Sequence, residues 1–454
     1  MSDNLAAASN AQRDYSFTKE LVTPVYDMIK TPGQSRSLQA KLLVGDWVKT
    51  LNDDGENAEI AFRGGTGYAP SSSIGGDRLL EIYFIDVGQG DSILIQTPED
   101  QRVLIDGGKN ENSHSFIKWK YRLDKYFKDF EAVIISHGDE DHSRGLISIF
   151  NDPHVYVKKV IHNGLLKRVN TSMPLGASRT INGHKMITDV VDDITTFQDR
   201  NDLSKIYRDL ANAVENVKNR TLAAGLPFEC KHVDNLSSPL VIGSQKPVTI
   251  NFVNPINHGT LLDPALKWFS DEGKTINGNS VGALIEYRKL RVLLCGDMNR
   301  SAENEFIQHW GDRPTDSHIF KANHHGSSDF SEKFLQRIQP WITVISSGDE
   351  PDYGHPRADL LGSIGRFASN LVELPLIFST EIAATFKTID VDSLAKGPRL
   401  YEKSIFGLVN IRSNGEWVVG GRVYKRGTQN RRVWEWESYA LDLATGDFLS
   451  NNFT

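Results

Sequence analysis

The segment His137-Gly138-Asp139-Glu140-Asp141-His142 follows directly on an all-apolar run at 132–135. A short run of that kind reads as a strand buried on both faces, as in a parallel sheet. The fold must therefore deliver His137, Asp139, Asp141 and His142 together to the C-terminal end of a buried strand. In an extended or turning segment, residues two apart project to one side. His137 and Asp139 then face one cation, and Asp141 and His142 another. Imidazoles and carboxylates suit divalent ions such as zinc or manganese. The plain alternative is a polar loop in which Asp141 or Ser143 caps the following helix.

Two cations need more ligands, and the chain offers them in similar settings. The apolar run 291–295 ends in Gly296-Asp297, and a carboxylate there can bridge two ions, one per oxygen. Asn323-His324-His325-Gly326-Ser327 places adjacent imidazoles before a glycine, and Tyr353-Gly354-His355-Pro356 braces His355 in a turn. Taken singly, Asp297 reads as a turn residue and His355 as an ordinary surface or core histidine. In company they read as parts of one site.

Composition narrows the rest. Lys and Arg number 51 against 58 Asp and Glu, a net charge of −7 that argues against a generally basic nucleic-acid coat. Local basic stretches remain. Lys118, Lys120, Arg122, Lys125 and Lys128 interleave with Trp119, Tyr121 and Tyr126, and Lys425, Arg426, Arg431 and Arg432 precede Trp434. Charge beside stacking surface suits a polyanion, although a solvated helix face and a hairpin tip are the more ordinary explanations. Cys230 and Cys295 allow one disulfide but exclude a disulfide framework and a cysteine-based zinc site. No apolar run approaches the roughly 18 residues of a spanning helix. The N-terminus has no secretory pattern. A soluble cytoplasmic protein without membrane association is the expectation.

Along the chain, Leu21, Val22, Val25, Tyr26 and Ile29 fall at helical spacing, so 1–35 is expected to be helical or flexible. Segments 41–49 and 58–62 read as strands, and 36–76 as an SH3-like β module ending in a Ser/Gly linker at 71–76. Strand and helix signals alternate over 77–400. Helices are expected over 116–130 and, as part of an insertion near 190–225, at the spacing of Leu203, Ile206, Leu210, Val214 and Val217. From 401 to 454 the pattern is β again, with a hairpin at Ser413-Asn414-Gly415.

Motif order supports a family resemblance over about residues 79–375. Phe84-Ile85-Asp86-Val87-Gly88-Gln89-Gly90-Asp91-Ser92, Leu104-Ile105-Asp106-Gly107-Gly108, the 136–142 segment, Gly296-Asp297, His324-His325-Gly326-Ser327 and Tyr353-Gly354-His355-Pro356 resemble the metallo-β-lactamase superfamily. More narrowly, they are similar to ComEC-type hydrolases. The resemblance implies an α+β fold, an αββα sandwich with two divalent metal ions, Zn2+ or Mn2+, at one edge. The N-terminal β module and a C-terminal β-hairpin extension flank it. By position it implies His137 and Asp139 on one metal, Asp141, His142 and His355 on the other, and Asp297 bridging. Asp106 and Asp91 are expected just behind the ligands, and Asn277 and Ser280 stand where ComEC-type proteins carry an Asn-x-x-Ser element. No clear third histidine for the first metal lies among His154, His162, His184, His232 and His258.

The implied chemistry is hydrolysis of phosphodiester bonds, with DNA or RNA as the expected substrate. Asp141, His324 and His325 are the expected catalytic residues, the two histidines serving the leaving oxygen. A small diester, such as a cyclic nucleotide or a phosphocholine ester, is the alternative enzyme reading. A metal-stabilised adaptor that binds a protein partner through its β modules is the non-enzymatic one.

Overall fold

The computed structural model describes residues 15–30, 33–62, 65–311, 316–348, 354–380, 385–386, 401–402, 407–426 and 433–450. Two large sheets lie face to face. The first runs Glu229–His232, Lys159–His162, Ala132–Ile134, Arg102–Ile105, Ile93–Gln96, Leu80–Phe84, Val409–Ser413, Trp417–Arg426, Val433–Asp442. The second runs Leu240–Ile242, Val248–Asn254, Gly282–Tyr287, Leu290–Leu294, Ile319–Lys321, Ile342–Ile345, Leu376–Ser379.

The layering follows from the period-2 alternation of strands. Leu80, Ile82 and Phe84 point into a core shared with Ile250, Ile285, Val292 and Val344 of the opposite sheet. Their neighbours Tyr83 and Ile85 point the other way, under Leu146, Ile149 and Val214 of the helices Glu140–Asn151 and Lys205–Ala223. On the far side Leu293 and Phe320 lie beneath Phe306, Phe334 and Ile364 of a second helical layer. The result is an αββα sandwich, as the resemblance implied. Among the described residues no helix is long and apolar enough to cross a membrane.

The strands that matter for chemistry run parallel. Arg102–Ile105, Ala132–Ile134, Lys159–His162 and Glu229–His232 pair in parallel in the first sheet, as do Leu290–Leu294, Ile319–Lys321 and Ile342–Ile345 in the second. Ligands in open α/β sheets bind beyond the carboxyl ends of such strands. Here those ends carry Asp106, His137, Asp297 and His324-His325.

Several local expectations change. Residues Val22–Tyr26 form a strand rather than a helix, in a seven-stranded sheet that spans Ser16–Thr18 to Ile74–Gly76. The supposed linker thus contributes a short 3-10 turn, Ser71–Ser73, and a paired strand. The 41–49 segment divides into Leu38–Leu43 and Trp47–Asp53. The 116–130 helix is instead Asn112–Tyr121, followed by the strand Lys128–Phe130. The C-terminal strands do not form a separate extension, because Val409–Ser413 pairs with Leu80–Phe84 and continues the first sheet. Cys230 and Cys295 are buried free thiols, so there is no disulfide. Lys120 is buried, with Nζ donating to Tyr83 Oη at 2.8 Å, which removes it from any basic surface. Trp119 and Tyr126 are exposed. Tyr353, Arg431 and Arg432 lie outside the described residues.

Arg412 joins the N-terminal sheet to this frame. Only 2% exposed, it donates to the carbonyls of Leu43 and Val44 at 3.2 and 2.6 Å and to Asp46 Oδ1 at 2.8 Å. Breaking one side of a buried ion pair leaves an uncompensated charge. Arg412→Met is therefore expected to cost about 3 kcal/mol of stability, measured by chemical denaturation.

Candidate metal centre

The helix Glu140–Asn151 starts immediately after the Ala132–Ile134 strand and its loop. Asp139 occupies the N-cap position, yet its side chain makes no capping bond, and the Asp139 carbonyl accepts from His142 N and Ser143 N instead. The acids of this loop are thus not consumed by capping. Gly90 comes so close to the loop that a Cβ there would stand 2.1 Å from the Asp141 carbonyl oxygen, at a φ of 130°.

Asp106 organises the first half of the site. Its backbone is left-handed (φ 58°), and its carboxylate accepts from Ser136 N at 2.7 Å, Ser136 Oγ at 2.5 Å and His142 Nδ1 at 2.8 Å. A proton held on Nδ1 leaves the Nε2 lone pair of His142 facing the opposite sheet. His325 is set the same way, with Nδ1 3.0 Å from the Ser346 carbonyl. The two Nε2 atoms face each other at 3.2 Å. Around them stand Asp297 Oδ1, 3.2 Å from His142 Nε2, and Asp297 Oδ2 and Asp141 Oδ2, 3.1 and 3.3 Å from His325 Nε2.

The carboxylates and imidazoles of this pocket set one another's charge. Burial opposes protonation of His142 and His325, but Asp297 leads the carboxylates that outweigh it and hold both pKa values well above the usual imidazole range. Burial likewise raises Asp297, and His325 and His142 overcome that and hold it well below the carboxylate range. For Asp141, His142 and His325 overcome burial in the same direction. Both rings are therefore protonated in the metal-free site, and a divalent cation would have to displace their Nε2 protons; the two opposed Nε2 atoms ringed by carboxylate oxygens are then a donor set that suits such an ion.

His137 forms the second half. It is fully buried, its ring centroid is 4.1 Å from that of His142, and Nδ1 lies 3.1 and 3.3 Å from the hydroxyls of Ser136 and Ser280. Its Nε2 has no hydrogen-bond partner and lies 3.8 Å from Asp139 Oδ2. Burial, then the His142 charge, lower its pKa to about 4. Burial and Asp141 raise that of Asp139 to about 6. A neutral imidazole with a buried, unpartnered nitrogen beside a carboxylate also fits a cation.

The remaining expected residues fall into place around this pair. Ser280 Oγ accepts from Asp297 N at 3.2 Å and donates to the Asn277 carbonyl at 2.8 Å, while Asn277 Oδ1 is buried without a partner. His325, expected to serve the leaving group, points into the ligand cluster. His355 is not one of the four residues that group most tightly but stands beside them: its Nδ1 lies 3.4 Å from Gln89 Nε2, its ring is 5.9 Å from that of His324, and His325 and Asp297 both act on its charge. Asp91 groups with His142, Asp297 and His325, their ligand atoms all within 4.8 Å of one another. None of the intervening histidines joins them; His258, for example, pairs with Glu305 at 2.8 Å. Lys321, fully buried against Asp91, was not foreseen at all.

Tyr207, from the inserted helix Lys205–Ala223, covers the loop. A Cβ on Gly138 would lie 2.1 Å from its Cζ. Gly138→Ala should therefore destabilise the protein by about 1–3 kcal/mol. The double variant Gly138→Ala/Tyr207→Ala should be no less stable than Tyr207→Ala alone, as read by thermal unfolding.

The chain is 24% identical over 302 residues to ComE operon protein 3 of Bacillus subtilis (strain 168), which covers 63% of this chain and 30% of that protein. The chain thus spans less than a third of that relative's length. Similar solved structures include MEM-A1, a subclass B3 metallo-beta-lactamase from a soil metagenome library (15% identity, 63% of this chain, 85% of that one, TM-score 0.25). Others are SMB-1 bound to 2-mercaptoethanesulfonate (11%, 62%, 84%, TM-score 0.25) and a mutant metallo-beta-lactamase from Cronobacter sakazakii (13%, 63%, 90%, TM-score 0.26). Those scores are low, and the assignment rests on the sequence match to the family described as "Metallo-beta-lactamase superfamily", which runs over residues 85–338, more than half of the chain. The chain belongs to the metallo-β-lactamase superfamily.

Proposed function

We propose that the protein is a hydrolase of phosphodiester bonds that uses two divalent cations, zinc or manganese, and acts on DNA or RNA. One observation carries this reading: the Nε2 atoms of His142 and His325 converge at 3.2 Å on Asp297 and Asp141, with both imidazoles locked from behind by Asp106 and the Ser346 carbonyl. The donor set is rich in oxygen, which suits ions that also bind phosphate oxygens. His137, Asp139, Asp141, His142, Asp297 and His325 would hold the divalent ions, which would supply charge neutralisation on a phosphate and acidification of water. The motif resemblance to ComEC-type hydrolases supports a nucleic-acid substrate.

The chain's own groups define how a diester would sit. Asp139 and Asp141 keep 37% and 28% of their side chains exposed, whereas His142, Asp297 and His325 are buried. Substrate therefore enters from the Asp139–Asp141 side. His324 stands at the rim, next to His325 in sequence, with its Nδ1 buried and unpartnered. Its imidazole is the group placed to donate a hydrogen bond or a proton to the departing oxygen. Ser136 and Ser280 hold the His137 ring so that Nε2 faces Asp139.

Asp141→Ala should abolish metal-dependent cleavage of DNA, RNA and bis-p-nitrophenyl phosphate alike. His324→Gln should separate them. Turnover of nucleic acid, whose leaving alkoxide needs a proton, should fall by about 10²–10⁴-fold, while turnover of the p-nitrophenyl ester changes little. Cleavage of the model diester with nucleic acid left intact would move the substrate to the small-diester class. Binding of metal with no turnover of either would favour the adaptor reading.

A further inference from the structure

Lys321 closes the strand Ile319–Lys321 and is fully buried, with both strand neighbours apolar. Its Nζ meets Asp91 Oδ2, donates to the Gly296 carbonyl at 3.0 Å and lies 3.7 Å from Asp297 Oδ1. A lysine has only donors, so contact with a carboxylate and a carbonyl is contact by an ammonium. Burying that ammonium is costly, and an apolar residue of similar size would usually serve packing as well or better. The charge at this position therefore has work to do other than packing.

Asp91 shows what that work is. Its Oδ1 lies 3.5 Å from His325 Nδ1 and its Oδ2 3.9 Å from His142 Nδ1. These are the rear nitrogens. The Nε2 atoms, on the other side of both rings, face Asp297 and Asp141. Asp91 thus stands behind the two imidazoles, although its distance from the ligand atoms would let it compete for a cation. Lys321 touches this rear carboxylate and the front carboxylate Asp297 at once.

We propose that Lys321 is the resident cation of the metal centre, a positioning residue that compensates Asp91 and holds it behind the imidazoles before any metal arrives. The inference rests on the reading of this cluster as a metal site. With Lys321 present, Asp91 already has its counter-ion and supports the ring of His325. Without Lys321, Asp91 is a buried carboxylate left with only the Nδ1 atoms of His325 and His142 at 3.5 and 3.9 Å, and an incoming divalent ion would take over the compensation that the ammonium gave.

The test compares wild type, Lys321→Met and Lys321→Met/Asp91→Asn by thermal unfolding in EDTA and in saturating MnCl2 or ZnCl2. Bound metal is counted by elemental mass spectrometry after desalting. The metal-free form of Lys321→Met should melt several degrees below wild type. Its metal-induced rise in Tm should exceed that of wild type, because the ion now replaces a missing charge as well as filling its own site. In the double variant the pair is neutral, so the rise should return to the wild-type value with the wild-type metal count. A rise in Lys321→Met equal to that of wild type, with metal bound to both, would show a merely structural lysine and overturn this inference alone. If Lys321→Met does not fold even with metal, the double variant decides: wild-type metal content supports the proposal, and loss of metal refutes it. A wild type that binds neither ion ends the metal reading and this inference together.

Discussion

The hydrogen bond between His142 Nδ1 and Asp106 Oδ2, 2.8 Å long, sets the terms for everything around it. An imidazole has two nitrogens and one proton to place between them when neutral. Asp106 accepts the hydrogen bond of the Nδ1 proton, so Nε2 is presented to the second sheet. The same carboxylate accepts from the backbone and hydroxyl of Ser136, which fixes the end of the neighbouring parallel strand and the start of the 137–142 loop. Asp106 reaches all three donors from a left-handed backbone, a conformation that is costly for a residue with a Cβ and that persists because these bonds over-determine it. His324 and His325 are also left-handed, at φ 49° and 54°, on the opposing wall. Strain on both walls, where the two sheets meet, marks the place where the fold gives up local preference for the site.

The sandwich supplies the second requirement, a fixed distance between walls. Asp106, His137 and His142 hang from the first sheet; Asp297 and His325 hang from the second. Their approach is held by the shared core, in which Ile105 and Ile134 just below the first set pack in the same cluster as Val292 and Leu294 below the second. Interiors of this density yield little to small forces. The imidazoles therefore meet at 3.2 Å because of apolar side chains a turn away from them, and not through contacts of their own. The N-terminal sheet is tied on elsewhere, through Arg412 and the carbonyls of Leu43 and Val44.

This division explains what could be read from the chain. The ligand-bearing strand ends were legible because each is a local pattern, an apolar run broken by histidine or aspartate. Which histidine turns inward was not. His325 and His355 both sit in Gly-flanked loops, and the left-handed backbone that aims His325 leaves no mark in hydrophobic spacing. Lys321 was invisible for a related reason: a lysine reads as surface unless its partner is known, and Asp91 comes from a distant turn. At the N-terminus the spacing of Leu21, Val25 and Ile29 fits a helix, but Val22-Thr23-Pro24-Val25-Tyr26 is β-branched, aromatic and interrupted by proline. There Thr23 and Val25 are buried between half-buried neighbours, so the period of two prevails. The C-terminal strands were correctly strand-like, but nothing local says that Val409–Ser413 completes a sheet begun at Leu80–Phe84.

The electrostatics of the site and of the whole molecule point the same way, and that raises the question of how an anion reaches the centre. The chain is net −7, and Asp139 and Asp141 stand at the open side. A phosphodiester would be repelled from such a mouth if the carboxylates acted alone. Lys321 compensates Asp91 and Asp297 from within the buried wall and cannot be met by substrate. At the rim, Lys167 acts on Asp139 and Arg357 on His355. Lys167 is itself shared with Glu272 at 2.5 Å, which leaves little of its charge for a ligand. Under the proposed phosphodiester reading, the positive potential for a phosphate would have to come mainly from the cations of the centre, with the protein supplying geometry and the ions supplying attraction. On that reading substrate binding and metal binding would be coupled: a centre with its carboxylates only partly balanced would recruit cations first and an anion second.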